Sequence, residues 1–439
     1  MRNESTPAGR SPAGTLRLFG RLYDPDDRGT CVVTVSGGAV TAIEPAAAPP
    51  PGAMGSEGSR ILPGLIDIQI NGAFGYDFAE ADADMDTICR RMPSFGVTAF
   101  IPTVVTSAPE TYGPALANLR RDFVPGESRV LGVHIEGPFI SHTYRGAHDP
   151  ARLRLPSIPE TSRWLEAGDI RWLTLAPELP GALDLVRFLV SRGVRVSMGH
   201  TDATWDQAAA GVEAGATLAT HLFNAMRPLR HRDPGVAGYV LATGLTAGFI
   251  GDGNHVAFET LRLVARAKAP DELIVITDAL TGLGMPPGHY IVAGHEYVSD
   301  GTAGRLLDGT LCGSLLPLNM AVRNLVDRVG LNPALAVRLA TLNPARAFGL
   351  DDRFGRVAVG RTADLALVDD EWRVQATLTG GRVAFLDEAT AAAAGLPAGP
   401  AIPAGPGRGA IAPGSGTASH SGETAPHAGA TTGPAATGR

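Results

Sequence analysis

Glu136, His200 and His221 are the residues whose types and placement could do chemistry together. Glu136 closes the run VLGVHIEGPF (130–139), a continuous apolar stretch of the kind buried on both faces of a parallel sheet. A carboxylate leaving the end of such a strand needs a partner. His200 in MGHTDAT and His221 in THLFNAM end two later apolar runs, and His148 lies further along the stretch that Glu136 opens. Taken singly, each has a bland account: Glu136 as a salt bridge or helix cap, either histidine as a hydrogen-bonded core residue. Together, one carboxylate and two imidazoles at strand ends make a ligand set for one divalent metal. That set leaves a coordination position for water, as catalytic rather than structural sites do. Water held there becomes acidic enough to act as a nucleophile. Asp278, ending VITDA, could cap the next helix. At the same pole as a metal, it reads as the general base that takes the water's proton and returns it to a leaving group.

Those residues require a parallel barrel to position them. Eight strand-like runs occupy 61–70, 100–105, 130–139, 170–178, 194–200, 217–225, 247–253 and 272–279. Segments of helical spacing, such as PETYGPALANLRR, GALDLVRFLVSRG and TWDQAAAGVEAG, separate most of them. The pattern predicts an α/β fold, a (β/α)₈ TIM-like barrel, whose active site lies at the C-terminal strand ends. Gln69, Asn71, Glu136, His200, His221, Asp252 and Asp278 all fall at such ends. PLNMAVRNLVDRVG and PALAVRLATLNPARAFGL read as helices that follow the barrel. Short β-runs before it (LRLFGRLYD, TCVVTVSGG, AVTAIEP, with Gly37-Gly38 as a hairpin turn) and after it (in 353–385) predict a small β-sandwich domain built from both chain ends. The expected organisation is a disordered segment 1–14, the first part of the small domain at 15–60, the barrel at 61–350, and the second part at 351–388. A tail of Ala, Gly, Pro, Thr and Ser (389–439) is expected to be disordered.

The chain's 439 residues exceed one ordinary core, in line with two domains. A 44% hydrophobic and 18% charged composition is that of a soluble globular protein, and the net charge of −7 argues against a nucleic-acid partner. Three scattered cysteines without a CxxC pair suggest reduced thiols in the cytoplasm. The start has no apolar signal region, and the uncharged stretch 235–251 is too short and too rich in Gly and Thr to span a membrane.

Several stretches carry a family resemblance: PGLIDIQINGAFGYDF, GVHIEGPFISHTYRGAHDP, MGHTDAT, THLFNAMRPLRHRDPGVAG, GDGNHV, VITDA, DGTLCGS and ATLNPARAFGL. The chain resembles the metal-dependent amidohydrolase superfamily and, within it, the N-acetylglucosamine-6-phosphate deacetylase family. The resemblance implies hydrolysis of a phosphorylated amino sugar, N-acetylglucosamine 6-phosphate, to glucosamine 6-phosphate and acetate in amino-sugar catabolism. It makes Glu136, His200 and His221 the metal ligands and Asp278 the catalytic acid/base. His148, beside Ala147, becomes a sugar contact, and His255 a second one that helps polarise the amide carbonyl. Asn224 and Ala225 become contacts to the phosphorylated sugar. Leu311, Cys312, Gly313 and Ser314 become a loop lining the acetyl pocket. Arg232 becomes the arginine that receives the phosphate, supplied by the neighbouring subunit of a homodimer or higher homo-oligomer; the basic cluster Arg227, Arg230, His231 and Arg232 could otherwise be a solvated loop. The superfamily's first-strand His-x-His, which binds a second metal, is here Gln69 and Asn71. Neutral amides are poor transition-metal ligands, so one divalent ion per chain is expected. Zn²⁺ is the expected species, and Fe²⁺, Co²⁺ and Mn²⁺ accept the same ligands. Other amidohydrolase substrates, such as N-acetylgalactosamine 6-phosphate or a cyclic amide, share this metal centre. A non-catalytic homologue would have lost ligands that this chain keeps.

Overall fold

The computed structural model describes residues 14–397 and Gly399. The disorder expected at 1–13 and 400–439 lies outside the described residues. Leu16–Tyr23, Asp27–Ser36 and Ala39–Pro45 form an antiparallel meander. Gly37 and Gly38 turn its second hairpin with φ of 60° and 86°, the two positive angles that a tight primed turn demands.

The expected strand 61–70 is two strands. Arg60–Pro63 pairs with the first strand of the meander and with Leu365–Val368, whereas Leu65–Ile70 opens the barrel. Gly64 is the break: its N–H donates to Asp364 O at 2.9 Å, and the next N–H donates to Gly96 O at 3.0 Å, so the pairing partner changes across one residue. A Cβ at Gly64 would lie 2.1 Å from Thr98 Oγ1, which is why this crossover carries no side chain.

The barrel strands are Leu65–Ile70, Val97–Val105, Val133–Glu136, Ile170–Leu175, Arg195–Met198, Leu218–Ala219, Thr246–Ile250 and Leu273–Ile276, each parallel to the next. Hydrogen bonds from Asp278 N to Gln69 O (2.9 Å) and from Asn71 N to Ala279 O (2.7 Å) join the eighth strand's extension to the first. Alternate residues divide between two cores, as barrel strands require. Leu273 and Val275 join the larger core that packs on the helices, while Ile274 and Ile276 join Ile66, Ile68, Ile101, Trp172 and Leu218. The covering helices read as their sequences suggest. Ala182–Ser191 buries Ala182, Leu185, Val186 and Leu189, one face of a 3.6-residue period. Trp205–Ala214 starts at a reciprocal cap between Thr204 and Gln207. Lys268, the only lysine in the sequence, is buried; its Nζ donates to Val240 O (3.0 Å) and to Thr243 O, closing the end of helix Gly235–Ala242, and pairs with Glu272 at 2.9 Å.

A four-stranded antiparallel sheet follows the eighth strand: Gly288–Val292, His295–Ser299, Ala303–Leu306 and Leu311–Ser314. It corrects the expectation that 311–314 is a loop. Ser314 pairs with Ala303 and Gly313 with Gly304. Glycine is needed at both positions, because a Cβ on Gly304 or Gly313 would come within 2.5 and 2.7 Å of the Leu280 side chain. That requirement removes the β-branched residues by which a strand is recognised.

Leu365–Val368, Val374–Thr379 and Arg382–Leu386 complete the small domain from the far end of the chain. Its seven strands make one mixed sheet drawn from both ends of the chain, consistent with the small β-domain expected there. Leu18, Val33 and Val35 share a core with Leu365, Leu378 and Leu386. The expected tail also begins too early. Glu388–Ala394 is a helix capped by Asp387, with Ala391 and Ala394 in that core. Alanine is the best helix former and buries a small face without large side chains, so a composition that reads as disorder folds here. No helix among the described residues is long and apolar enough to cross a membrane.

Gly64→Ala is expected to lower stability by about 1–3 kcal/mol through overpacking, and Thr98→Ala added to it should return part of the loss. Denaturant midpoints of the single and double variants check this; additive losses would show that Thr98 is not the obstacle.

Candidate active site

Four side chains converge at the C-terminal end of the barrel. Glu136 is the last residue of the third strand, and His200, His221 and Asp278 lie just past the fifth, sixth and eighth. The latter three have φ of 49°, 27° and 49°, in the left-handed region that costs a residue with a Cβ and persists only where its surroundings enforce it. The turn lets each side chain leave its strand towards the barrel axis instead of continuing the pleat.

Glu136 Oε1 is 2.9 Å from His221 Nε2 and 3.2 Å from His200 Nε2, and the two nitrogens are 3.1 Å apart. His200 Nδ1–H donates to the Tyr144 carbonyl at 3.1 Å, which leaves the Nε2 lone pair facing Glu136. Burial pushes the Glu136 carboxyl up, but the adjoining His200 and His221 imidazoles hold it well below the usual range. Burial pushes His221 down and Glu136 overrides it upward. One carboxylate oxygen and two imidazole nitrogens aimed at one point form a donor set that suits a divalent cation. His148 offers a further ligand atom, within 4.8 Å of those of Glu136 and His200. Burial and neighbouring His200 hold His148 down to about 3, so it is neutral, and its Nδ1 lies 2.7 Å from Thr106 Oγ1.

Gln69 and Asn71 are also brought in, as hydrogen-bond donors. Gln69 Nε2 donates to both Glu136 oxygens (3.1 and 3.2 Å) and to Asp278 Oδ1 (3.3 Å), and Asn71 Nδ2 donates to Asp278 Oδ1 (2.8 Å). Facing two carboxylates, these amides present NH₂ groups, and their oxygens are buried without partners. Burial first, then the Glu136 charge, pushes the Asp278 carboxyl above its ordinary value.

These four residues open onto a cavity of about 140 Å³ whose wall also holds Ala147, His148, Asn224, Ala225 and His255. Leu311 and Cys312 line it; burial and the Asp278 charge push the Cys312 thiol up to about 12, so it is an uncharged wall. His255 Nδ1 is 2.7 Å from Asp252 Oδ2, which leaves Nε2 as the ring's free polar atom. Asp252 is pushed up by burial but held below the usual range by hydrogen bonds from His255 and the backbone. Gly313, Ser314 and Arg232 lie outside the cavity lining. Ser314 is fully buried and donates to Thr277 O at 2.5 Å. Arg232 is exposed, with no hydrogen bond or ion pair among the described residues, whereas Arg227 is committed to Asp202 and Asp233. The partners that reasoning from sequence missed are the Tyr144 carbonyl, which has no side-chain signature, and the Thr106 hydroxyl. A larger cavity of about 380 Å³ lies in the small domain, where Arg60 pairs with Asp370 and Arg21 with Asp27.

Beneath the site His134 stacks on Trp172 with ring centres 3.9 Å apart. Ile70 N donates to Thr103 Oγ1 (3.3 Å), and His134 lies between two hydroxyls, with Nδ1 3.1 Å from Thr103 Oγ1 and Nε2 2.8 Å from Thr174 Oγ1.

Residues 60–391 match the amidohydrolase family. N-acetylglucosamine-6-phosphate deacetylase from Homo sapiens is 40% identical over 349 residues, 76% of this chain and 85% of that one. N-acetylgalactosamine-6-phosphate deacetylase from Escherichia coli O157:H7 is 34% identical over 360 residues, 80% of this chain and 93% of that one. A mutant N-acetyl-D-glucosamine-6-phosphate deacetylase from Mycobacterium smegmatis, solved with N-acetyl-D-glucosamine-6-phosphate, superposes with a TM-score of 0.77 at 31% identity, covering 84% of this chain and 99% of that one.

Burial, offset in part by Glu136, holds His134 down to about 3 against an ordinary 6.5. The unfolded chain therefore binds the extra proton as pH falls below 6.5, and this site's contribution to stability is present above that pH and lost below it. The expected observation is a His134 imidazole that stays neutral from pH 8 to pH 5. Nitrogen NMR of the ring checks it; a titration within that window would refute the buried chain of hydroxyls.

Proposed function

We propose that this chain, which belongs to the amidohydrolase family, hydrolyses the acetamide of N-acetylglucosamine 6-phosphate to glucosamine 6-phosphate and acetate in amino-sugar catabolism. The observation that carries the reading is the convergence of Glu136, His200 and His221 on one point, with the Asp278 carboxylate in the same cavity. An acetamide is hard to hydrolyse because resonance stabilises its carbonyl and its amine leaves poorly. Glu136, His200 and His221 would hold a divalent ion, which we take to be Zn²⁺, and that ion would supply a Lewis acid for the carbonyl and an acidified water as nucleophile.

The chain's own residues do the rest. Asn71 and Gln69 both donate to Asp278 Oδ1, so Oδ2 is the oxygen left to accept the water's proton and pass it to the sugar nitrogen. Burial and Glu136 raise the Asp278 carboxyl, which brings its proton affinity closer to that of its task. His255, fixed through Nδ1 by Asp252, turns Nε2 to the substrate, where it helps polarise the amide carbonyl. His148, Asn224 and the Ala225 backbone contact the sugar. Leu311 and Cys312 close around the acetyl methyl. Arg232, exposed and unpaired, serves the phosphate of a neighbouring copy in a homodimer, where remote binding energy orients the amide. Buried, unpaired Cys31 and Cys89 suit a cytoplasmic enzyme.

Purified protein is expected to carry about one tightly bound divalent ion per chain, and to release acetate from N-acetylglucosamine 6-phosphate faster than from its galactosamine epimer. Asp278→Asn should keep the metal while kcat falls by about 10²–10⁴-fold. Elemental analysis with an acetate assay on both sugars checks each part. Loss of metal in the variant would make Asp278 a ligand, and an undiminished rate would remove its proton role.

Arg232→Ala should raise KM for the phosphorylated sugar far more than for N-acetylglucosamine. Mixed with Asp278→Asn, it should regain part of the activity, because a mixed dimer has one site with both defects and one with neither. No recovery after proven subunit exchange would place Arg232 at its own barrel or away from substrate.

A further inference from the structure

Asp278 has φ of 49°, and a catalytic carboxylate on such a backbone must be held there by something. Its own main chain is tied on both sides: the N–H donates to Gln69 O at 2.9 Å, and the C=O accepts from Ser314 N at 3.0 Å. The preceding residue adds more. Thr277 Oγ1 donates to Asp67 Oδ2 at 2.6 Å and accepts from Ala279 N at 3.2 Å, so a single hydroxyl spans the residues before and after Asp278. Thr277 N donates to Asp67 Oδ1 at 3.3 Å, and Thr277 O accepts from Ser314 Oγ at 2.5 Å. Asp67, Thr277 and Ser314 are buried, at 0%, 1% and 0% exposure, and none lines the active cavity. They cannot touch substrate, and every polar contact they share falls on the turn that carries Asp278.

We infer that Thr277 is a positioning residue. Its hydroxyl, fixed by Asp67 and backed by Ser314, holds the left-handed turn that aims the Asp278 carboxylate into the cavity. Asp67 anchors the first strand and Ser314 the last strand of the antiparallel sheet, so the aim of one side chain is set by both neighbours of the eighth strand. This inference rests on the reading of Asp278 as the group that moves the proton. If the hydroxyl served only to satisfy Asp67, its loss would lower thermal stability without affecting turnover in enzyme that remains folded. If it aims Asp278, its loss acts in the transition state, lowering kcat and kcat/KM together.

The test compares Thr277→Val, which swaps the hydroxyl for a methyl of similar shape, with Thr277→Ser, which keeps it. Both are made as metal-loaded full chains and assayed on N-acetylglucosamine 6-phosphate, with metal content and circular dichroism measured on the same samples. For Thr277→Val the expectation is a fall in kcat of about 10²-fold, the scale of a small misplacement at a reacting centre, with KM and metal content unchanged; Thr277→Ser should restore most of it. A Thr277→Val enzyme with wild-type kcat, or a Thr277→Ser enzyme as slow as the valine variant, overturns the inference. Should Thr277→Val lose its fold or its metal, Ser314→Ala decides. It removes one hydrogen bond to the turn and leaves the main-chain pairing, so kcat should fall by roughly tenfold at constant KM, and wild-type kcat overturns the inference. Asp278→Asn is run alongside. If it stays active, the proton role itself fails, whereas an inactive Asp278→Asn beside an unimpaired Thr277→Val defeats only the positioning of Asp278 by Thr277.

Discussion

Two imidazole nitrogens and one carboxylate oxygen, all nearly out of reach of water, point at the same spot. Lone pairs brought within 2.9–3.2 Å of one another repel unless positive charge lies among them, and burial removes the solvent that would otherwise screen them. Much of the surrounding architecture answers that constraint. Gln69 and Asn71 supply NH₂ groups to the carboxylates, and the Tyr144 carbonyl fixes which nitrogen of His200 faces inward. A second carboxylate, Asp278, stands close enough to Glu136 that the two raise each other's cost of ionisation. The same crowding that makes the site expensive suits it to a cation and to a carboxylate that exchanges protons.

The barrel bears this cost by enclosing the site in regular structure. Seven strands of the small domain and eight of the barrel meet at Gly64, where the chain leaves one sheet and enters the other without room for a methyl group. Parallel strands end at a common level, and left-handed residues just past three of them turn side chains towards the axis. Beneath, the Thr103–His134–Thr174 chain gives the interior a hydrogen-bonded polar layer under the site.

Much of this was legible in the sequence because its signals are local. Eight apolar runs with polar residues at their ends located the strands and, with them, Glu136, His200, His221 and Asp278. Helical periodicity placed Pro109–Asn118, Ala182–Ser191 and Trp205–Ala214. What stayed hidden depended on contacts far along the chain. Arg60–Pro63 reads as one strand with Leu65–Ile70 because only Asp364 and Thr98, remote in sequence, make Gly64 a boundary. The antiparallel sheet at 288–314 escaped because packing on Leu280 forces glycine into two of its strands, and the helix Glu388–Ala394 because alanine serves both low complexity and a small buried face. Ser314 falls in a stretch that resembles a pocket loop, yet its hydroxyl turns inward to Thr277; backbone direction, absent from composition, decides which way a side chain faces.

The burial of Lys268 reaches into the chemistry of the whole surface. With the chain's single lysine committed to the carbonyls that end one helix, no side-chain amine faces solvent, and every exposed permanent cation is a guanidinium. Guanidinium is a poor nucleophile towards activated esters and acyl phosphates because it stays protonated at any working pH. The folded protein is therefore inert, at its side chains, to the amine-directed acylation that marks or cross-links most proteins. An enzyme surrounded by acyl donors would keep its charge pattern, while amine-directed immobilisation or dye labelling at a side chain would need a newly introduced lysine.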